Sequence, residues 1–179
     1  IKNGEQIILK NNAFIFSKSS WQIGGDGKKV FIGGKNNNFG GGILIFDTEK
    51  VSKIKNTNFG YLSGLINNNI FSNYSDNFLN NYQSDFILFG SVNFFNSSVE
   101  IKNVSFEDIF SEDAINIIKS NYKIEDAKFS RIKSDAIDID FGSGKIIGST
   151  FNFIGNDGID FSGSKSTVLN CNFSNVEDK

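Results

Sequence analysis

The stretch FSRIKSDAIDIDF, from Phe129 to Phe141, recurs along this chain almost column for column. The matching stretch FEDIFSEDAINII begins 23 residues earlier, at Phe106, and FNFIGNDGIDF begins 22 residues later, at Phe151. A further partial copy, FSNV, begins at Phe173. A fixed period of this length indicates a repeat architecture, in which each unit is one supersecondary structure that must stack on its neighbours to bury its apolar side.

The pattern inside each repeat predicts strands. In the second half of the unit, Ile137 and Ile139 alternate with Asp138 and Asp140, which is typical of a strand with one apolar face and one acidic face. Asn, Asp and Gly separate the strands, and these residues tolerate the positive φ angles of tight corners. The repeat therefore predicts a parallel β-solenoid with three short strands per coil, whose identical columns stack at about 4.8 Å.

The register extends upstream to Ile43 and, more loosely, to the N-terminus, where IILKNNAFIF, WQIGG and KVFIGG predict further short strands. We therefore expect about seven coils of about 22 residues in a single domain spanning 1–179. One segment, at about 65–85, lacks the repeat columns and is predicted to be a long Asn-rich loop, a type of segment that often carries function. Because the pattern stops where the next strand should begin, we expect the chain to be a fragment that continues past 179.

The repeat F-x-x-I-x-x-D-A-I-D-I, as it stands in Phe129 to Ile139, resembles the right-handed parallel β-helix repeats of the pectate-lyase-like superfamily, including its carbohydrate-binding and sugar-hydrolase proteins. This resemblance implies a right-handed parallel β-helix, a polysaccharide partner and an extracellular or cell-envelope location. Lyases of the superfamily resemble one another in using Arg or Lys as a base near acidic cation ligands. Here the one arginine, Arg131, lies on a different part of the repeat from Asp138, which argues against lyase chemistry.

Composition narrows the functions further. The net charge of −2 and pI of about 5.2 give no basic footprint for nucleic acid. No apolar run reaches the roughly 20 residues that span a bilayer, so we expect no membrane insertion. The absence of histidine removes the commonest general base and zinc ligand. The single cysteine, Cys171, excludes an internal disulfide and falls in an inward column, where we expect inert core.

The candidate site is the outward face of the alternating strand. Its columns are apolar towards the N-terminus, with Leu44 and Ile118 among them, and acidic towards the C-terminus. The candidate ligand-binding residues on this face are Phe46, Asn93, Phe95, Asn116, Asp138, Asp140 and Asp160. The two phenylalanines and Ile118 could form an exposed platform for sugar rings or a docking surface for a neighbouring domain of the same chain. Alternatively, the long loop at about 65–85 folds down and covers them.

Asp138 and Asp160 would stack about 5 Å apart, which disfavours ionisation of both carboxyls. Three arrangements remain open. A Ca²⁺ ion could lie between them as a metal site, with Asp140 or a backbone carbonyl completing its oxygen ligands. One of them could instead hold a proton and act as the general acid of a retaining glycosidase, or both could remain solvated. Asp113, Asp135 and Asp157, each just before Ala or Gly, are interpreted as turn formers that cap local N–H groups.

Three functions fit these observations. The first is a non-catalytic module of a secreted or cell-surface protein that needs no cofactor and serves as a rigid scaffold or glycan-binding surface. The second is a polysaccharide-active enzyme, a lyase, epimerase or glycoside hydrolase, that uses the outward aspartates. The third is a fibre or tailspike-like assembly element.

Overall fold

A computed structural model describes residues 1–64 and 90–178. All of its regular elements in that part of the chain are strands, and none is a helix that could cross a bilayer. The predicted loop at about 65–85 lies outside the described residues. The strands are β1 (Gln6–Ile8), β2 (Phe14–Ser17), β3 (Gln22–Ile23), β4 (Val30–Gly33), β5 (Gly42–Phe46), β6 (Ser52–Leu62), β7 (Gly90–Phe95), β8 (Val99–Ile109), β9 (Asp113–Ile118), β10 (Asn121–Glu125), β11 (Lys128–Ile132), β12 (Asp135–Asp140), β13 (Ser143–Ile147), β14 (Thr150–Asp157), β15 (Ile159–Ser162), β16 (Lys165–Leu169) and β17 (Asn172–Asp178).

The strands stack in three parallel rows. The first row contains β3, β10, β13 and β16, and the second contains β1, β4, β11, β14 and β17. The long strands β6 and β8 run through both rows, which joins the two into one 11-stranded sheet. The third row is a separate six-stranded sheet in the order β15-β12-β9-β7-β5-β2.

This architecture confirms the predicted all-β parallel β-helix. The number of coils is about six, rather than the seven expected, because six strands stack in the third row. The N-terminal segments form strands as predicted, but β1 adds a further rung to the second row alone. The first coil is therefore incomplete.

The core is a set of inward columns. The phenylalanine column stacks ring on ring: Phe106 lies 4.9 Å from Phe129, and Phe129 lies 5.0 Å from Phe151, with planes 3° apart in both pairs. Columns of isoleucine flank it, and Ile115, Ile137 and most of the others are fully buried. These inward columns are those that the sequence predicts. Cys171 packs on the core as predicted but is only partly buried.

The corners are columns of residues with positive φ. The corner between the third row and the following first row contains Asp47, Asn96, Lys119, Phe141 and Gly163 at equivalent positions. The column between the first and second rows consists of Asn, Asp and Gly, which agrees with the expectation that these residues turn the chain: Gly24, Asn56, Asn103, Asp126, Gly148 and Asn170. A further column within the second row is mixed and contains Tyr61, Asp108, Arg131, Phe153 and Asn175. Bulky residues also occur there, although the left-handed conformation costs an L-residue about 1–2 kcal/mol. Phe141 and Phe153 are the clearest cases, with φ of 52° and 57°.

The phenylalanine column should dominate stability. We expect Phe129→Ala to lower the free energy of unfolding by about 3–5 kcal/mol, because it removes a fully buried ring between two stacked neighbours. Urea denaturation followed by circular dichroism measures the loss. The control is Phe153→Ala, which removes a 57% exposed ring and should change stability by less than about 0.5 kcal/mol. Equal losses in the two variants would contradict this account of the core.

Candidate ligand-binding face

The outer surface of the third row contains the predicted site residues in two adjacent columns. The first runs from Leu44 through Asn93, Asn116 and Asp138 to Asp160, paired strand by strand. The second contains Phe46, Phe95, Ile118, Asp140 and Ser162 in the same order. The alternation of isoleucine and aspartate along β12 therefore places the side chains as predicted: the isoleucines face the core and the aspartates face outwards.

The N-terminal half of this surface is buried. Of the two alternatives that the sequence leaves open, an exposed platform and a covered surface, the structure has the covered one. Phe46 and Phe95 are only 5% and 6% exposed. The ammonium groups of Lys18 and Lys119 lie 5.2 and 5.7 Å from their ring centroids, in cation–π geometry, and cover part of the rings. A side chain that points away from the core is accessible only if nothing else packs on it, and the strand pattern carries no information on that. The two rings do not form an open platform for sugars.

The two asparagines of the first column are also buried, each 1% exposed. The Asn93 amide is fully engaged with the backbone: Nδ2 donates to the carbonyl oxygens of Gly90 and Ile43, and Oδ1 accepts from the N–H of Gly90. Asn93 thus stabilises the start of β7 rather than presenting a group to a ligand.

Asn116 links two carboxyl groups of neighbouring coils. Its Nδ2 donates to Oδ2 of Asp113 and to Oδ2 of Asp138, each at 3.0 Å. Its Oδ1 is buried and accepts no hydrogen bond from the described residues. Burial raises the pKa of Asp113 to about 8, and the charges of Asp138, Asp135 and Glu112 act in the same direction, against the hydrogen bond from Asn116. Asp113 is therefore largely protonated at neutral pH.

The interpretation of the corner aspartates as turn formers needs correction. Asp135 does cap a backbone group, but that group is the N–H of Asp157 one coil further on, at 2.9 Å from Oδ1. The carboxyl of Asp113 is bonded instead to the side chain of Asn116. In the sequence, this link is marked by Asn116, three residues after Asp113. The next coil has Asp138 at the equivalent position, three residues after Asp135.

The accessible part of the surface is carboxylate. Asp138 and Asp140 are half-buried, and Asp160 is exposed. Burial, followed by the charges of Asp140 and Asp160, raises the pKa of Asp138 to about 7. The pKa of Asp140 is also raised, by burial and by the charge of Asp160. Near neutral pH, Asp138 thus exists as a mixture of its charged and protonated forms.

Six aspartates form what we call the acidic face: Asp113, Asp135, Asp138, Asp140, Asp157 and Asp160. Within residues 1–64 and 90–178, the ion pairs lie elsewhere, on the first and second rows, such as the contact of Arg131 with Asp108 at 2.6 Å. In the same part of the chain, no lysine or arginine forms a salt bridge with the acidic face. Its charges are relieved by protonation and by side-chain amides instead.

A calcium ion between Asp138 and Asp160 stays a prediction from the sequence. Ca²⁺ takes six to eight oxygen ligands. Among the described residues, no three acidic, histidine or cysteine side chains are grouped closely enough to hold a metal. Between Asp113 and Asp138, moreover, the space is occupied by the Asn116 amide, which presents a hydrogen-bond donor. Asp138 and Asp160 alone would supply too few oxygens, so a calcium site there would need Asp140 or a backbone carbonyl as a further ligand.

Comparison of the chain with protein-family models and with curated proteins gave no match in either case. The acidic face is therefore interpreted from its own chemistry.

The raised pKa of Asp113 predicts that stability falls as pH rises. In the unfolded chain its carboxyl loses its proton near the ordinary value of 3.8, whereas the folded protein retains that proton up to about pH 8. The folded state therefore binds more protons between these values, and the free energy of unfolding decreases across this window. Asp113→Asn, which mimics the protonated form, should raise stability at pH 8 by on the order of 1–3 kcal/mol and have little effect at pH 4.

Thermal or urea unfolding at pH 4, 6 and 8 measures this difference. Asp126→Asn is the matched control, because Asp126 is exposed at a corner. This variant measures the effect of removing a carboxylate at the surface. A constant effect of Asp113→Asn over this range would show that the carboxyl is ionised in the folded protein.

Proposed function

We propose that this chain is a non-catalytic, glycan-binding β-helix module of a secreted or cell-surface protein related to the pectate-lyase-like superfamily. The observation that carries the proposal is the accessible part of the acidic face. There, Asp138, Asp140 and Asp160 lie on adjacent coils, without an ion-pair partner among the described residues.

The chemistry of these carboxyls determines the class of ligand. An ionised carboxylate is an acceptor with about four lone-pair sites, so it binds groups that donate several hydrogen bonds. The hydroxyls of sugars and the ammonium of amino sugars are such donors. Uronic acids would bring further negative charge to a surface whose aspartates already raise one another's pKa. We therefore infer that the ligand is a neutral or amino-sugar polysaccharide.

The fold supports a polymer as ligand. Equivalent positions recur at the coil spacing of about 4.8 Å, so a chain of sugar units can meet a similar group on each coil. The stacked core makes the surface rigid, which limits the conformational entropy lost by the protein on binding. The superfamily relation and the location outside the cell rest on the resemblance of the repeat.

The test is titration calorimetry with neutral, amino-sugar and uronic-acid polysaccharides, with and without Ca²⁺. We expect saturable binding of a neutral or amino-sugar polymer, weakened at least tenfold in Asp138→Asn/Asp160→Asn, which corresponds to about 1.4 kcal/mol. Asp126→Asn should bind like the unaltered protein. Binding that is restricted to uronic acids in the presence of Ca²⁺ would overturn the charge argument, and a failure to bind any of the polymers would overturn the proposal.

A glycoside hydrolase is the second candidate function, and one observation favours it. Asp138 has a pKa of about 7 and lies opposite Asp160 on the next strand, so one carboxyl can hold a proton while its neighbour is ionised. Retaining glycosidases use such a pair, with a general acid and a nucleophile. The fibre or tailspike-like alternative stays a prediction from the repeat.

Release of reducing ends distinguishes the enzyme from the binding module. If the protein is a hydrolase, incubation with the polysaccharide that it binds releases new reducing ends, and Asp138→Asn lowers the rate at least a hundredfold because it removes the acid. The binding proposal predicts no release above a protein-free control. If the protein is a hydrolase, Asp126→Asn, which retains both carboxyls, should release reducing ends at the rate of the unaltered protein.

A further inference from the structure

A buried amide oxygen without a hydrogen-bond partner lies within the acidic face. Asn116 is 1% exposed, and its Oδ1 accepts no hydrogen bond from the described residues. A buried acceptor in this state destabilises a fold, so native proteins rarely leave one. Nδ2 of the same amide is engaged twice, by Oδ2 of Asp113 and by Oδ2 of Asp138, each at 3.0 Å. A donor for Oδ1 is therefore required.

The carboxyl of Asp113 can supply that donor. It is buried, three residues before Asn116 on β9, and burial raises its pKa to about 8. A protonated carboxyl has one O–H donor and one carbonyl acceptor, and a primary amide has the complementary pair. The two groups can thus share two hydrogen bonds. In the first, which the structure contains, Nδ2 donates to a carboxyl oxygen, and in the second the carboxyl O–H donates to Oδ1.

The charged groups around Asp113 favour its protonated form. Asp135 and Asp138 lie on the neighbouring strand β12, and Glu112 directly precedes β9; each of these charges raises the pKa of Asp113. On the other side, β7 has no titratable residue. Within residues 1–64 and 90–178, no basic side chain forms a salt bridge with Asp113. An ionised Asp113 would have no cation to offset its charge and no proton to donate.

The combination of an acid and an amide distinguishes β9 from the equivalent strands. Four of the described coils have, three positions apart at this place, Gly90 and Asn93, Asp113 and Asn116, Asp135 and Asp138, and Asp157 and Asp160. In the first coil the amide binds the backbone of Gly90. In the last two coils both residues are acids, so neither supplies an amide. The acid and the amide occur together in β9, directly beside the half-buried Asp138.

We propose that Asp113 donates its carboxyl proton to Oδ1 of Asn116, and that this acid–amide pair positions Asp138, the carboxylate with which the acidic face binds its ligand. The pair keeps the amide turned so that Nδ2 faces Oδ2 of Asp138. A ligand hydroxyl can then donate to the other oxygen of Asp138, because the direction of that carboxyl is fixed. When Asp113 loses its proton, Oδ1 loses its donor, and the amide no longer has one preferred direction. The role in binding rests on the proposed function, whereas the shared proton does not.

The shared proton is tested without a ligand, by NMR of the aspartate carboxyl carbons and of the Asn116 side-chain amide between pH 3 and pH 10. We expect the Asp113 carboxyl to titrate near pH 8, and the signals of the Asn116 amide to move with the same midpoint. Titration of Asp113 near its ordinary value of 3.8 would overturn the acid–amide pair. An Asn116 amide that does not respond to this titration, as when a water molecule bonds to Oδ1, would overturn it as well.

Asn116→Ala and Asn93→Ala are the matched variants for the positioning role. Both asparagines are 1% exposed and occupy the same column, but of the two only Asn116 donates to Asp138. A hydrogen bond from an amide favours the ionised form of a carboxyl. We therefore expect Asn116→Ala to raise the pKa of Asp138 by about 1, and Asn93→Ala to leave it unchanged. Equal changes in the two variants would show that Asn116 does not act on Asp138.

The role in binding is measured by calorimetry at pH 6 and pH 9. The probes are neutral gluco-, manno- and N-acetylglucosamine oligosaccharides, whose charge is the same at both pH values. The decisive variant is Asp113→Asn, because its amide can donate to Oδ1 and accept from Nδ2 at any pH. We expect it to bind within about twofold of the unaltered protein at pH 6 and at least about fivefold more tightly at pH 9. Asp113→Ala, which offers Oδ1 no donor, should bind at least about fivefold more weakly than Asp113→Asn at both pH values.

Asp126→Asn is the control for the loss of a carboxylate and should bind like the unaltered protein at both pH values. Circular dichroism verifies that each variant is folded. If Asp138→Asn/Asp160→Asn abolishes binding while Asp113→Asn and the unaltered protein bind equally at pH 9, the proposed function stands and the positioning role is wrong. If the NMR titrations agree with the acid–amide pair but no probe binds, the shared proton stands and the role in binding is overturned.

Discussion

The stacking of one phenylalanine per coil is the interaction on which the rest of the structure depends. Ring centroids from Phe59 to Phe173 are 4.5–5.1 Å apart, which matches the coil spacing of about 4.8 Å set by the backbone hydrogen bonds. Aromatic pairs contribute about 0.5–1.5 kcal/mol beyond the area that they bury. They also fix register, because a slip by one residue would turn every inward side chain outwards. The aspartates of the acidic face are aligned from coil to coil because the stacked core holds the coils in register.

The sequence predicts which side chains point inwards and outwards in each column, but not what packs over the outward side chains. Strand alternation and the 22-residue period are local signals, so the inward positions of Ile137 and Ile139 and the outward positions of Asp138 and Asp140 follow from them directly. The burial of Phe46 and Phe95 does not follow, because it depends on what packs over the strand, and the repeat does not encode that. The link from Asn116 to Asp113 is hidden for a different reason. It requires the direction of an amide, which spacing alone leaves open.

The acidic face also shows how a solenoid tolerates like charges in a column. Along the first outward column, the residues change from apolar Leu44 to the amides Asn93 and Asn116, and then to Asp138 and Asp160. The amide of Asn116 separates two carboxyls, and burial keeps Asp113 protonated near neutral pH. Repulsion is therefore concentrated in the last coils, where Asp160 is exposed and water screens its charge. Because the residue type changes along the column, carboxylates that could react or bind a ligand are accessible only in the last coils, where the column is exposed to solvent.

The corner between the third row and the following first row shows how a single residue can break the repeat. A column that repeats the same residue on every coil offers many equal, weak contacts, whereas a residue that departs from its column can make one position distinct. Phe141 departs in this way, and Gly163 on the next coil leaves room for its ring. Since Phe141 directly follows Asp140, its exposed ring lies at the corner where the acidic face ends. A residue of this kind distinguishes one coil from its neighbours, although the backbone follows the same path in all of them.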